Sequence, residues 1–242
     1  MAATHMTGAL TLSDHVFGGL VPRYRAALLV VAGALFVAVA AQVSLTPPQW
    51  YANVFSSIGL PIEGTPVPIT LQTLAVGLTG AALGSRLGTM SLLLYLFAGI
   101  AGLPVYAGSV GDILSGEVAF GATDGSLWGG ATSFWSMPSF GYIIGFVIAA
   151  TLIGRLAERG WDRSFLYTAL AMLAGSVVIY AFGLPWLHMS FDNMTISLTL
   201  DWGLWPFVPG DILKLLVAAG ALPGAWVLLR REPKLKESED QL

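Results

Sequence analysis

Six stretches of the chain stay apolar too long, and with too little alternation, to belong to a water-soluble protein. They cover roughly residues 26–45, 68–83, 87–103, 139–156, 165–184 and 206–229. A run of about 17–25 apolar residues makes a helix long enough to cross a bilayer. Strands of a membrane barrel would alternate over about 10 residues, and these runs do not alternate. In hydrocarbon the backbone must satisfy its own hydrogen bonds, which leaves helices. The pattern predicts an all-α membrane protein with six transmembrane helices. Proline stands at several expected outer ends (Pro68, Pro104, Pro138, Pro185 and Pro206), where it begins a helix or stops one.

Composition agrees with that reading. Of 242 residues, 55% are hydrophobic and 10% are charged, against about 25% charged in a soluble domain. The mean hydropathy is +0.75. There is no cysteine, so disulfides, thiolate catalysis and cysteine-held clusters are excluded. No compact apolar run with a small-residue cleavage site opens the chain, and no cleavable leader is expected. One membrane domain over residues 26–229 is expected, between a cytoplasmic tail 1–25 and a charged tail 230–242. The latter reads as solvated and mobile.

The cations give the orientation. Arg23 and Arg25 precede the first run, Arg86 lies between the second and third, and Arg155, Arg159 and Arg163 join the fourth and fifth. Arg230, Arg231, Lys234 and Lys236 follow the sixth. With six crossings, every one of the 11 Lys and Arg except Lys214 falls on one side. Cytoplasmic loops carry the excess of Lys and Arg, so both termini are expected in the cytoplasm. The opposite loops hold Glu63, Asp112, Glu117, Asp124, Asp192 and Asp201. Three outer connections are long (46–67, 104–138 and 185–205) and hold Trp50, Tyr51, Tyr106, Trp128, Trp135, Trp186, Trp202 and Trp205. Two roles fit these aromatics: the belt at a membrane interface, or long outer loops that cap a substrate pocket. A short interfacial helix is expected over 50–58.

Lys214 breaks the charge pattern. It lies in Pro209-Gly210-Asp211-Ile212-Leu213-Lys214, about 7–8 Å beyond Pro209 at the helical rise. Asp211, three residues earlier, shares its helix face. Asp211 suits a first turn through the helix dipole, and Lys214 is able to snorkel outward. Ionisable residues within a membrane, however, usually face the bundle interior and mark a substrate path. Lys214 is therefore the candidate for binding an anionic group. Asp211 would hold the ammonium, keep it charged, or accept a donor from the ligand.

Other polar residues near the outer ends are weaker candidates. Gln72, beside Thr70 and Thr73, offers an amide that donates and accepts; a cyclic urea or amide suits it, as does an interhelical bond. Tyr142, Tyr106 and Gln42 are either ligand contacts or packing, and Ser109 and Asn193 are weaker still. Ala34 and Ala38 put small side chains at helical spacing on the first span, which suits a partner helix or packing within the bundle. Catalysis finds little support: the histidines are His5, His15 and His188, none inside a run. No G-x-x-x-x-G-K-[ST] phosphate loop is present, and no rings of polar residues suggest a channel.

The ordered blocks Pro66-Val67-Pro68-Ile69-Thr70-Leu71-Gln72-Thr73, Ala98-Gly99-Ile100-Ala101-Gly102-Leu103-Pro104, Ser139-Phe140-Gly141-Tyr142, Phe182-Gly183-Leu184-Pro185-Trp186-Leu187 and Pro206-Phe207-Val208-Pro209-Gly210-Asp211-Ile212-Leu213-Lys214 resemble the BioY family over nearly the whole chain. That family comprises the biotin-specific S components of energy-coupling-factor (ECF) transporters. The resemblance implies that biotin is the transported ligand and that no cofactor is needed. It also implies that Asp211 and Lys214 contribute to the biotin pocket. The partners it implies are a transmembrane T subunit and cytoplasmic ATPases in a bacterial cell membrane, with no nucleic acid. A solitary biotin transporter, or an S component for another vitamin, is the alternative. The segments 45–64 and 108–137 are longer than the family pattern, and the second contains no arginine, so Lys214 stands as the only outer cation.

Overall fold

The structure, a computed structural model, describes residues 11–16, 22–43, 53, 57, 67–107 and 137–239. These residues form helices α1 (Leu12–Val16), α2 (Pro22–Gln42), α3 (Gln72–Ile100), α4 (Phe140–Ala157), α5 (Phe165–Met189), α6 (Ile196–Gly203) and α7 (Val208–Glu239), with a 3₁₀ turn at Trp161–Arg163. The expected interfacial helix over 50–58 falls almost wholly outside the described residues. So do Trp128, Trp135, Ser109 and the acids Glu63, Asp112, Glu117 and Asp124.

Among the described residues, five helices are long and apolar enough to cross a membrane: α2, α3, α4, α5 and the Val208–Leu229 part of α7. The difference from six lies in α3, which joins the expected second and third runs. Gly84 sits at φ 79°, ψ 177° in its middle, a conformation essentially reserved for glycine. There the chain doubles back. A methyl group on Gly88 would lie 3.1 Å from the Cα of Gly80, whereas eight helical residues span about 12 Å. Glu158, just past α4, secures the bend by accepting from the Ser85 backbone N–H at 2.6 Å and from its hydroxyl at 2.9 Å. The second arm begins there, so a carboxylate meets its exposed N–H groups.

Helix α4 is the centre of the bundle. It packs between α3 and α5, with α2 against α3 and α7 against α5 and α3. Twelve of the 18 residues of α4 are buried, a larger share than in α3 or α5. Glycine allows the close approaches: Gly154 abuts the Gly84–Ser85 backbone, and Gly145 abuts Ile179. Outward faces are apolar as well, as expected for helices in lipid: Leu28, Val31, Leu35 and Val39 on α2 and Leu166, Leu173 and Val177 on α5 are exposed.

Two expected boundaries are corrected. Pro185 does not end the fifth helix, which runs through it to Met189. The residues beyond gain other partners: Trp186 donates to the Met137 carbonyl at 3.0 Å, and the Trp186 carbonyl accepts from Ser190. These contacts hold the turn beyond Pro185, whose missing N–H leaves the Ala181 carbonyl without its usual helical donor. The tail after residue 229 continues α7 in helical form to Glu239 rather than as a loose segment.

The N-terminal segment closes the end of the bundle that carries the Lys and Arg. Leu12 is buried with Ala81, Ile153, Ala157, Met172, Leu222 and Trp226. Asp14 pairs with Arg25 at 2.6 Å. Burial tends to raise the Asp14 pKa, but the bonds from Thr11 and Arg25 outweigh it and hold it below the ordinary value.

Candidate functional site

A cavity of about 200 Å³ opens among α3, α4, α5 and α7 at the opposite end of the bundle. Its walls are mainly apolar and aromatic: Val67, Pro68, Met137, Ile143, Phe146, Ile179 and Phe207, with Tyr95, Tyr106, Tyr142 and Tyr180. Thr70, Gln72, Thr73, Ser139 and Lys214 supply its polar edge. An apolar chamber with a few placed polar groups is the usual form of a small-molecule site.

Among the described residues Lys214 is the one charged residue lining this cavity, and only 7% of its surface is exposed. Its Nζ donates to the Thr73 Oγ1 at 3.0 Å and to the Asp211 Oδ1 at 3.1 Å. Thr73 donates in turn to Asp211 Oδ1 at 3.2 Å. The other carboxylate oxygen, Oδ2, accepts a hydrogen bond from the Tyr180 hydroxyl. Asp211 itself does not line the cavity; it lies behind Lys214, against a small recess with Ser176 and Leu215. The first turn of α7 thus places the acid, and one turn later the same face turns the ammonium toward the cavity. A buried charge pair persists only when its remaining atoms also have partners, and Thr73 and Tyr180 provide them.

The other sequence candidates separate into wall, floor and support. Gln72 is buried and donates to the Tyr95 hydroxyl at 2.7 Å; the bond joins the two arms of α3, and both residues also line the cavity. Tyr142 and Tyr106 contribute ring faces, since their hydroxyls donate to the Gly203 carbonyl at 2.9 Å and the Leu96 carbonyl at 2.7 Å. Burial raises the pKa of the Tyr106 phenol, keeping it protonated as a donor. Gln42 is not a lining residue. It donates to the Tyr106 carbonyl at 2.8 Å and so tethers the segment carrying that ring.

Ala34 lies in the core cluster, with Ala38 packed against it. Of the two expected roles, the structure shows packing within the bundle for these small side chains, while larger residues form the exposed face of α2. His188 is structural, with Nδ1 2.8 Å from the Thr199 Oγ1. Trp186 is partly buried and packs edge-on against Phe140 with ring centres 4.8 Å apart. Among the described residues no cluster of His, Cys, Asp and Glu is arranged to hold a metal.

Sequence reading missed Tyr95 and Tyr180. Both are tyrosines inside long aliphatic runs, where a phenol needs a partner; that was the available signal, but it does not say which partner.

A profile of the BioY family matches residues 13–231. The biotin transporter BioY of Rhizobium etli is 30% identical over 197 residues, covering 77% of this chain and 86% of its own. That of Thermotoga maritima is 34% identical over 154 residues, covering 64% and 78%. The probable biotin transporter BioY of Pyrococcus horikoshii is 36% identical over 167 residues, covering 67% and 84%. Among solved structures, the crystal structure at 2.1 Å of the S-component for biotin from an ECF-type ABC transporter matches with a TM-score of 0.60 and 25% identity, over 88% of this chain and 93% of the other.

Proposed function

The chain belongs to the BioY family, and from that membership we propose that it captures biotin outside the cell and carries it inward as the S component of an ECF transporter. The family is one of transporters, so the chain is not an enzyme. The arrangement we propose has six crossings, with the two arms of α3 each counted as one and both termini in the cytoplasm. It would reside in the cytoplasmic membrane of a bacterium. The cation asymmetry and the bend at Gly84 support this arrangement. A transmembrane T subunit and cytoplasmic ATPases would supply the energy, since the chain has no phosphate loop of its own.

The observation that carries the reading is the buried Lys214 ammonium at the wall of a mainly apolar cavity. Biotin joins an apolar bicycle to a ureido group and a carboxylate. Lys214 would hold the carboxylate, and Gln72 and Tyr95 would meet a group that both donates and accepts. Tyr106 and Tyr142 would enclose the rings. Asp211 would act behind Lys214, keeping it charged and in place.

Biotin binding by the purified protein tests this, with thiamine and riboflavin as competitors. Lys214→Gln is expected to weaken biotin by about a hundredfold, because a carboxylate would be left in a poorly solvated pocket without its counter-charge. Wild-type affinity in that variant would remove Lys214 from the site. Saturable binding of another vitamin in place of biotin would overturn the assignment of substrate.

A further inference from the structure

We propose that Tyr180, assisted by Thr73, is a positioning residue that keeps one donor of the Lys214 ammonium available to the ligand. The proposal rests on the reading of Lys214 as the group that holds the biotin carboxylate.

The argument starts from donors and acceptors. A lysine ammonium carries three N–H donors and no acceptor. One goes to the Thr73 hydroxyl and one to Asp211 Oδ1. Lys214 faces the cavity and Asp211 does not, so the remaining donor is the one a ligand anion would meet. Whether it stays available depends on the aspartate. A carboxylate beside an ammonium gains by placing both oxygens on it, and a ligand carboxylate would then compete with an anion already in place. Two hydroxyls oppose that rotation. Tyr180 reaches from α5 to bind Oδ2, and Thr73 reaches from α3 to bind Oδ1 while accepting from Lys214. Each oxygen of Asp211 is therefore engaged from a different helix.

The Tyr180 hydroxyl is thus occupied behind the cavity wall, while its ring forms part of that wall, edge-on to Tyr142 with centres 6.2 Å apart. Removing the hydroxyl alone leaves the ring in place but deprives Oδ2 of its donor in a poorly solvated position. Rotation onto Lys214 is the nearest relief. The consequence is specific to charge: a ligand carboxylate loses its donor, whereas a neutral amide on the same tail loses much less.

The test compares biotin with biotinamide, each titrated into purified wild type, Tyr180→Phe and Thr73→Val. Wild type should prefer biotin. Both variants should lose that preference, through a fall of about tenfold in biotin affinity, the lower end of the contribution of a hydrogen bond to a charged group. Biotinamide affinity should change by a much smaller factor. A variant that weakened both ligands in proportion would show a merely structural role and overturn the proposal while leaving the substrate assignment intact. Unchanged affinities would overturn it equally. If wild type bound both ligands equally well, the carboxylate would not be at Lys214, and the reading and the proposal would fall together. Should Tyr180→Phe aggregate, Thr73→Val carries the test, and a retained preference there overturns the proposal.

Discussion

Gln72 and Tyr95 stand 23 positions apart in one helical run, yet the Gln72 Nε2 lies 2.7 Å from the Tyr95 hydroxyl and donates to it. A straight helix would hold them about 35 Å apart. The bond exists because Gly84 reverses the chain, which brings the two arms of α3 to the same cavity. A backbone conformation at the end that carries the Lys and Arg thus sets the position of polar groups at the cavity end.

Gly84→Ala is accordingly expected to destabilise the protein by about 1–3 kcal/mol, the range for a non-glycine residue forced into that region. The added methyl group would also lie 2.8 Å from Glu158 Oε1 and disturb the cap on Ser85. Thermal unfolding in detergent measures the loss. Gly220→Ala is the control: its methyl group meets nothing within 4 Å, and in a helix interior it should be neutral or stabilising by up to about 1 kcal/mol.

Tyr142 separates wall from donor. Its hydroxyl is held by the Gly203 carbonyl, so Tyr142→Phe should reduce stability by about 1 kcal/mol, the net value of one hydrogen bond. Tyr142→Ala removes the ring from the cavity lining and should weaken biotin far more than the Phe variant does. Equal losses in a binding titration would mean that the hydroxyl touches the ligand.

Asp162 governs a pH dependence at the other end of the bundle. It is 2% exposed, its Oδ2 accepts from the Trp226 indole at 2.5 Å, and its Oδ1 has no partner among the described residues. Burial raises its pKa, and the indole and Arg163 oppose this only in part. An acid whose folded-state pKa is raised binds its proton more tightly in the native state than in the unfolded chain. Its contribution to stability is therefore best below the ordinary value of 3.8 and declines as pH rises from there through the raised value. Asp162→Asn should melt at a higher temperature than wild type at neutral pH, with the gap closing as pH falls toward 3.8. A gap that widened on acidification would contradict the account.

Leu12 tests how firmly the N-terminal segment is held. Its side chain is 8% exposed, in a cluster with Trp226 and Met172. Leu12→Ala should destabilise by about 2–3 kcal/mol, as for other buried leucines, and unfolding curves would register it. A change within error would mean that the segment is not anchored by this contact.

The apolar runs, the sidedness of the cations and the isolated position of Lys214 were legible in the linear chain for one physical reason. A lipid solvent acts on each residue by its own transfer energy, so length and charge suffice. The sequence also placed Asp211 and Lys214 on one helix face, because a three-residue spacing is local. It did not reveal that Pro185 lies inside a helix, since the turn beyond it is held by tertiary contacts of Trp186 with Met137 and Phe140. Nor did it reveal that Ala34 faces the core, because spacing marks a face without saying what lies opposite.

The contacts around the cavity depend on packing alone. Tyr180 on α5 and Thr73 on α3 meet Asp211 on α7 across 31 and 138 positions of sequence, and no periodicity encodes such a meeting. Residue chemistry therefore determined the environment and the likeness to a transporter family. Tertiary structure decided which hydroxyls are engaged, which rings form walls, and why the ammonium faces the cavity while its aspartate stands behind it. The reason is that a hydrogen bond between distant segments depends on the relative placement of whole helices.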